Sequence, residues 1–363
     1  MKNWRCFSDR LVDWVCEKIW PAVDPQTQFL TVQFDITNAC NLACDHCYLP
    51  HHKNQGALIY EQWVRVLDQY EQLLKKLRML PRVTLCGGEP LLCPFLPALL
   101  KEIRSRFGFC ELSVQSNGTL VTSSIAELFK SLNVSVQISV DGPDAARHDN
   151  IRGPGAFAKT MAGCRILKSN DVTFFCQAVL SRRTVAWIPE FFKLALEAGA
   201  TDMNFARLVT EGYAKTLLAA GQDRPLEGLE LKNALQDILK YSRDTGIPTA
   251  THGALWHLIE EGLGSPNNVG FAGFVIGYRG EFKVTSRASM VLGNVLEEDM
   301  GNLFLKHPVM KKLRDGEIDV CGGCRYFDKC RGDRNASFAA FGNFFGPDPS
   351  CWLIPAEQLS KVE

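Results

Sequence analysis

A chain of 363 residues has interior enough for one large enzyme domain and a smaller one, or for two ordinary domains, without covalent staples. Its 40 Lys and Arg balance 40 Asp and Glu and are dispersed along the chain, so nucleic acid and an anionic membrane are not expected as partners. The 14 cysteines are many for this length; with no secretory leader and no apolar run fit to cross a bilayer, they point to metal ligation in a cytoplasmic protein rather than to disulfides.

Residues 1–28 carry an apolar stripe, Leu11, Val12, Trp14, Val15, Ile19 and Trp20, that predicts an amphipathic helix ended by Pro21 and Pro25. From Phe29, short apolar strands alternate with longer helical patterns. FLTVQFDI precedes a helix within GALIYEQWVRVLDQYEQLLKKL, RVTLCGG precedes PFLPALLKEIRSRF, and ELSVQSNG precedes SSIAELFKSL. SVQISVDG, VTFFCQAVLS and MNFARLV continue the series, with helices between them. Six such units predict an α/β fold, a parallel sheet rolled into a full or partial (β/α)6 TIM-like barrel over residues 29–245.

Ligands in such folds sit at the carboxyl ends of the strands. Four successive strand ends carry polar or metal-binding residues: Cys40, Cys44 and Cys47; then Gly87, Gly88 and Glu89; then Asn117 and Gly118; then Ser139 and Asp141. After Glu211 the period weakens, and a helical stretch, EGLELKNALQDILKYSRDTG, leads into a Gly-, Phe- and Cys-rich segment, 246–363. The boundary is placed between Gly246 and Gly262.

Cys40-x3-Cys44-x2-Cys47 supplies three soft ligands from one loop, a donor set suited to zinc or to an iron-sulfur centre. Zinc would close with a fourth Cys or His, or keep that place for water, and His46, His51 and His52 are near. CNLACDHCY followed some forty residues later by GGEP, however, resembles the radical S-adenosylmethionine (SAM) enzymes. The resemblance implies that the three cysteines hold three irons of a four-iron four-sulfur cluster and that SAM chelates the fourth. It further implies that Gly87, Gly88, Glu89 and Pro90 receive the methionine ammonium, and that Gln115, Ser116 and Asn117 contact SAM. Ser139 and Asp141 match positions near the ribose, Arg152 an arginine that pairs with the methionine carboxylate, and His46 and Leu208 positions bounding the adenine. Taken singly, GGEP is a tight turn, ISVDGP a strand ending in a turn, and Arg152 a surface charge.

Near the C-terminus, Cys321-x2-Cys324-x5-Cys330-x20-Cys351 is a four-thiolate set for which zinc is the default reading in isolation. The segment resembles the SPASM extension of radical SAM enzymes, as do GNVLEED and DPSC. That extension usually holds two auxiliary clusters on seven cysteines. Here Thr285 and Arg334 stand at two of the cysteine positions, so one auxiliary cluster is expected, giving two four-iron four-sulfur clusters in all. The space near Thr285 and Arg287 is then either open to substrate or filled by core side chains.

The resemblance implies an enzyme that cleaves SAM reductively to a 5′-deoxyadenosyl radical and abstracts a substrate hydrogen. Modification of a ribosomally made precursor peptide is the leading expectation, by crosslinking, epimerisation, oxidation or backbone excision. Fewer than about thirty residues precede the first strand, too few for a peptide-binding module of about a hundred, so a small leader-binding partner protein is expected, with a flavodoxin- or ferredoxin-type electron donor. Alternatives are a small-molecule dehydrogenase, a tetrapyrrole side-chain modifier, and a non-enzymatic iron-sulfur or zinc-stabilised scaffold. Tyr48, His51, Asp144 and His148 lie near the expected site, but none is assigned a catalytic role, and Cys6, Cys16, Cys86, Cys93, Cys110, Cys164 and Cys176 read as buried small hydrophobes.

Overall fold

The computed structural model describes residues 29–49, 54–251 and 253–359. The expected N-terminal helix, and His51 and His52, lie outside them. Six parallel strands follow one another: β1 (Phe29–Thr37), β2 (Leu80–Gly87), β3 (Glu111–Ser116), β4 (Ser135–Ser139), β5 (Phe174–Leu180) and β6 (Met203–Arg207). Each pairs with the next, as expected of a partial barrel.

The helices between the strands form where apolar residues recur at helical spacing. In α1 (Tyr60–Leu77) the buried stripe is Trp63, Val66, Leu67, Tyr70, Leu73 and Leu74, against the face of β1 that carries Phe34. Phe34 meets Trp63 at 5.3 Å and Tyr70 at 6.1 Å between ring centroids, and the Tyr70 hydroxyl donates to the Leu30 carbonyl at 2.6 Å. Next come α2 (Leu96–Arg106), α3 (Ser123–Ser131), α4 (Ala145–Arg152), α5 (Ala156–Ser169) and α6 (Ile188–Ala198). Local chemistry starts several of them: Thr122 accepts from the Ile125 amide of α3, Asp144 accepts from the Arg147 amide of α4, and α2 and α6 have proline in the first turn.

Beyond β6 come α7 (Ala214–Ala219) and α8 (Gly228–Thr245), and α8 ends at Gly246, which adopts a left-handed conformation. The chain then returns to the sheet, which sequence patterning did not anticipate. β7 (Gly273–Ile276) pairs parallel with the free edge of β1, and β8 (Glu281–Lys283) and β9 (Gly293–Asn294) extend the sheet antiparallel. The sheet has nine strands in the order β6-β5-β4-β3-β2-β1-β7-β8-β9. It is followed by α9 (Met300–Lys306), α10 (Pro308–Arg314), α11 (Phe327–Cys330), α12 (Arg334–Phe341) and α13 (Ala356–Leu359). Gln69 of α1 fastens this part to the barrel, donating to the Val295 carbonyl and accepting from the Met300 amide, each at 2.7 Å. Among the described residues no helix is long and apolar enough to cross a membrane.

Candidate cluster and S-adenosylmethionine site

Because all six barrel strands run the same way, their carboxyl ends meet at one mouth, where a cavity of about 1000 Å³ lies. Cys40, Cys44 and Cys47 line it, together with His46, Gly87, Gly88, Gln115, Ser116, Asn117, Ser139, Arg152 and Leu208. Of the residues expected to contact SAM, Glu89, Pro90 and Asp141 are not on the wall but packed behind it, where all three are buried.

The two acids behind the wall brace it. Glu89 Oε1 accepts from the Ser116 hydroxyl at 2.9 Å and the Leu91 amide at 3.1 Å, and Oε2 accepts from the Asn117 amide at 2.8 Å. Burial still raises its pKa, which these donors oppose. Asp141 Oδ2 meets His46 Nε2 at 2.8 Å and the Arg152 guanidinium at 2.6 Å, while Oδ1 accepts from the Val179 amide at 2.8 Å. Burial alone would raise the Asp141 pKa; Arg152 and His46 outweigh it and hold the carboxyl well below its usual range. The pair thus fixes a permanent charge, and Arg152 is neutralised within the protein.

The cysteine loop is clamped from several sides. The Asp45 amide donates to the Ile151 carbonyl at 3.1 Å, Arg183 Nη1 donates to Asp45 Oδ2 at 2.6 Å, and Asn117 Nδ2 donates to Asn41 Oδ1 at 2.9 Å. The Gly88 amide donates to the Thr37 carbonyl at 2.8 Å and the Glu89 amide to the Ala39 carbonyl at 2.8 Å. A Cβ on Gly88 would stand 2.2 Å from the Ala39 oxygen, and one on Gly87, at φ +122°, 2.1 Å from the Thr37 oxygen. The glycine pair therefore lets the second loop lie directly on the first. On the far side the Tyr213 amide donates to the Cys47 carbonyl at 2.8 Å, an approach that only glycine at 212 permits, since a Cβ there would be 2.5 Å from the Cys47 oxygen.

Burial raises the pKa of all three thiols, that of Cys44 to about 12, so loading a metal centre must displace protons. Backbone amides of Asn41 and Leu42 oppose the rise at Cys40. Among the described residues no three or more His, Cys, Asp or Glu side chains are grouped to hold a single metal ion. Cluster thiolates bind separate irons and stand farther apart than ligands of one ion. His46 Nδ1 is buried without a partner among the described residues, a polar atom on the wall left for a bound group. These features fit a three-cysteine cluster with SAM beside it.

The cavity also has residues that sequence reasoning did not assign. Gln137 on β4 and Gln177 on β5 join the expected Gln115 on β3, each placing one amide on the wall, and Gln115 lies directly beside Gln137 in the sheet register. Their signal was a polar residue at an inward position of each apolar strand. Tyr48, Cys86, Arg207 and Arg287 complete this side. Thr285 and Ser286 are buried, whereas Arg287 lines the cavity.

A second cavity, about 740 Å³, is lined by all four C-terminal cysteines, Cys321, Cys324, Cys330 and Cys351. Backbone amides of Leu353, Gly332 and Asp348 stabilise the thiolate forms of Cys351, Cys330 and Cys321 against the upward push of burial. The donor set fits a closed four-thiolate centre. Arg334, at one missing cysteine position, is fully buried and donates from Nη1 to the Phe344 and Gly346 carbonyls at 2.8 and 2.7 Å, with Nη2 4.0 Å from Cys321 Sγ. The two cavities are joined by one ion pair. Arg207 at the end of β6, on the wall of the first, donates twice at 2.8 Å to Asp348, on the wall of the second.

Residues 34–195 match the radical SAM superfamily. The chain is 27% identical over 356 residues to the AdoMet-dependent heme synthase of Methanosarcina barkeri (strain Fusaro / DSM 804), covering 90% of this chain and 97% of that enzyme. It is 28% identical over 356 residues to the mycofactocin maturase MftC of Mycolicibacterium smegmatis (strain ATCC 700084 / mc(2)155), covering 92% and 86%. The fold matches that of Streptococcus suis SuiB bound to the precursor peptide SuiA, at TM-score 0.69 and 16% identity over 89% of this chain and 76% of that one. A four-iron four-sulfur cluster and SAM are the cofactors of that superfamily. The chain carries a radical SAM domain, over residues 34–195, and is a radical SAM enzyme.

Proposed function

We propose that the enzyme abstracts a hydrogen atom from a ribosomally synthesised precursor peptide and so modifies its side chains or backbone. The carrying observation is the single cavity on which the three cysteines, the glycine pair and the strand-end polar residues converge. When bound, the cluster and SAM supply reductive cleavage to a 5′-deoxyadenosyl radical, the hydrogen-abstracting species.

Cys40, Cys44 and Cys47 would hold the cluster, and His46, Gly87, Gly88, Gln115, Ser116, Asn117, Ser139, Arg152 and Leu208 would surround SAM. Glu89 and Asp141 hold those side chains in place through the bonds described above, so the wall is preformed before anything binds. Cys321, Cys324, Cys330 and Cys351 would hold one auxiliary cluster, in an auxiliary unit of residues 246–363 that follows a barrel unit of residues 29–245. With four protein thiolates it would have no open iron, which suits electron relay better than substrate binding. A flavodoxin- or ferredoxin-type donor, and a small leader-binding protein, are the partners proposed with this reading.

Similarity to a mycofactocin maturase along nearly the whole chain supports the peptide reading, as does the shared fold of a protein seen with its precursor peptide. Tetrapyrrole side-chain modification is the second reading, favoured by a match that spans 97% of a heme synthase. The test is anaerobic turnover with SAM and dithionite, using short peptides encoded beside the gene and, separately, a propionate-bearing porphyrin. Formation of 5′-deoxyadenosine with a mass change in the peptide supports the proposal. A mass change in the porphyrin alone would transfer the assignment to the second reading.

A further inference from the structure

Three arginines line the first cavity, and they differ in what neutralises them. Arg152 is paired with Asp141, and Arg207 with Asp348. Among the described residues Arg287 makes no ion pair, and the one hydrogen bond it donates to them is from its backbone amide, to Thr285 Oγ1 at 3.2 Å. Its guanidinium carbon is 6.0 Å from the centre of the Tyr48 ring, and the Tyr48 hydroxyl accepts from the Ser286 hydroxyl at 3.5 Å.

A half-buried guanidinium held against an aromatic ring, with its planar fork left unfilled by the described residues, is suited to a carboxylate, which it can take bidentately. The rest of this side of the wall is neutral: Gln115, Gln137 and Gln177 supply amides, and Cys86 donates its thiol to Gln115 Oε1 at 3.1 Å. No carboxylate lines the cavity among the described residues, because Glu89 and Asp141 are packed behind it. We propose that Arg287 is a specificity-determining residue that receives a carboxylate of the substrate and so fixes which carbon faces the radical. This rests on the hydrogen-abstraction reading above. A side-chain or terminal carboxylate of a peptide and a propionate of a small molecule share this chemistry.

The test is chemical modification of the reconstituted, SAM-loaded enzyme by phenylglyoxal, read residue by residue by peptide mass mapping. The competitors are 3-phenylpropionate and its uncharged isostere 3-phenylpropionamide. Arg287 is expected to react at least about tenfold faster than the paired Arg152 and Arg207, and the carboxylate, not the amide, is expected to slow that reaction about threefold or more. Failure of Arg287 to react, or equal slowing by acid and amide, overturns the proposal. In the same preparation Arg287→Met is expected to keep SAM cleavage to 5′-deoxyadenosine; loss of SAM binding there would mean that Arg287 serves SAM and would also overturn it. Absence of 5′-deoxyadenosine from the wild type would instead count against the hydrogen-abstraction reading, whatever the protection pattern. With an identified substrate, esterifying or amidating its carboxylate and substituting Arg287 are expected each to raise KM by about tenfold to a hundredfold, and together by no more than either alone.

Discussion

Replacing Arg152 by Met tests whether that side chain is a clamp or a cofactor ligand. Asp141 is fully buried and Arg152 is 9% exposed, so solvent screens their attraction little. Removing one partner of such a pair leaves an uncompensated buried charge, at a cost of about 3–5 kcal/mol. His46 and the Val179 amide still reach Asp141, which favours the lower end of that range. With a urea dependence of about 3 kcal/mol per molar, the unfolding midpoint should fall by about 1 M. The assay is urea unfolding of the apo-protein, where bound cofactors add nothing. A double variant, Arg152→Met with Asp141→Leu, should recover most of the loss, because an apolar pair of similar volume often matches a buried ion pair. A midpoint shift under about 0.3 M, or a double variant as costly as the sum of the singles, would refute the clamp.

Gly88→Ala should push the cysteine loop away, since the added methyl meets the Ala39 oxygen at 2.2 Å, at a cost of about 1–3 kcal/mol. Iron analysis after reconstitution should show loss confined to the N-terminal cysteines. Asp348→Asn leaves Arg207 with Asp333 at 3.5 Å as its remaining acid, and should make limited proteolysis of the C-terminal segment about tenfold faster with the barrel intact. His148 is buried with both ring nitrogens unpartnered among the described residues, and burial, then Arg152, pushes its pKa from 6.5 down to about 4. The unfolded chain therefore binds more protons between these values, so this group's contribution falls as pH drops from 6.5 to about 4, by about 3 kcal/mol in all. His148→Phe should remove that slope; apo-protein midpoints at pH 7 and about pH 4.5 that change equally in both proteins would contradict it.

The six barrel strands and both cysteine sets were legible because they rest on local signals: period-two apolar runs, and thiols at fixed spacing. The strands β7, β8 and β9, of four, three and two residues, are too short to carry a period, and their place beside β1 follows from long-range pairing. Asp141 and Glu89 were visible as residue types, but not as braces behind the wall, because that depends on which side of a strand end each carboxylate turns. Arg207 and Asp348 are 141 residues apart, and no local pattern joins them. Arg287 was noticed as a neighbour of a missing cysteine; that it faces the cavity follows only from the assembled sheet.

The central claim, two cysteine-bound clusters of which one activates SAM, is tested most directly by iron and acid-labile sulfide content with electron paramagnetic resonance. The proteins are the anaerobic wild type and a Cys40→Ala, Cys44→Ala, Cys47→Ala variant. About eight irons in the wild type and about four in the variant, with a SAM-dependent spectral change in the wild type alone, is the predicted result. About four irons with zinc in the wild type would make the C-terminal cysteines a structural zinc site, and no iron after reconstitution would contradict the radical SAM account itself.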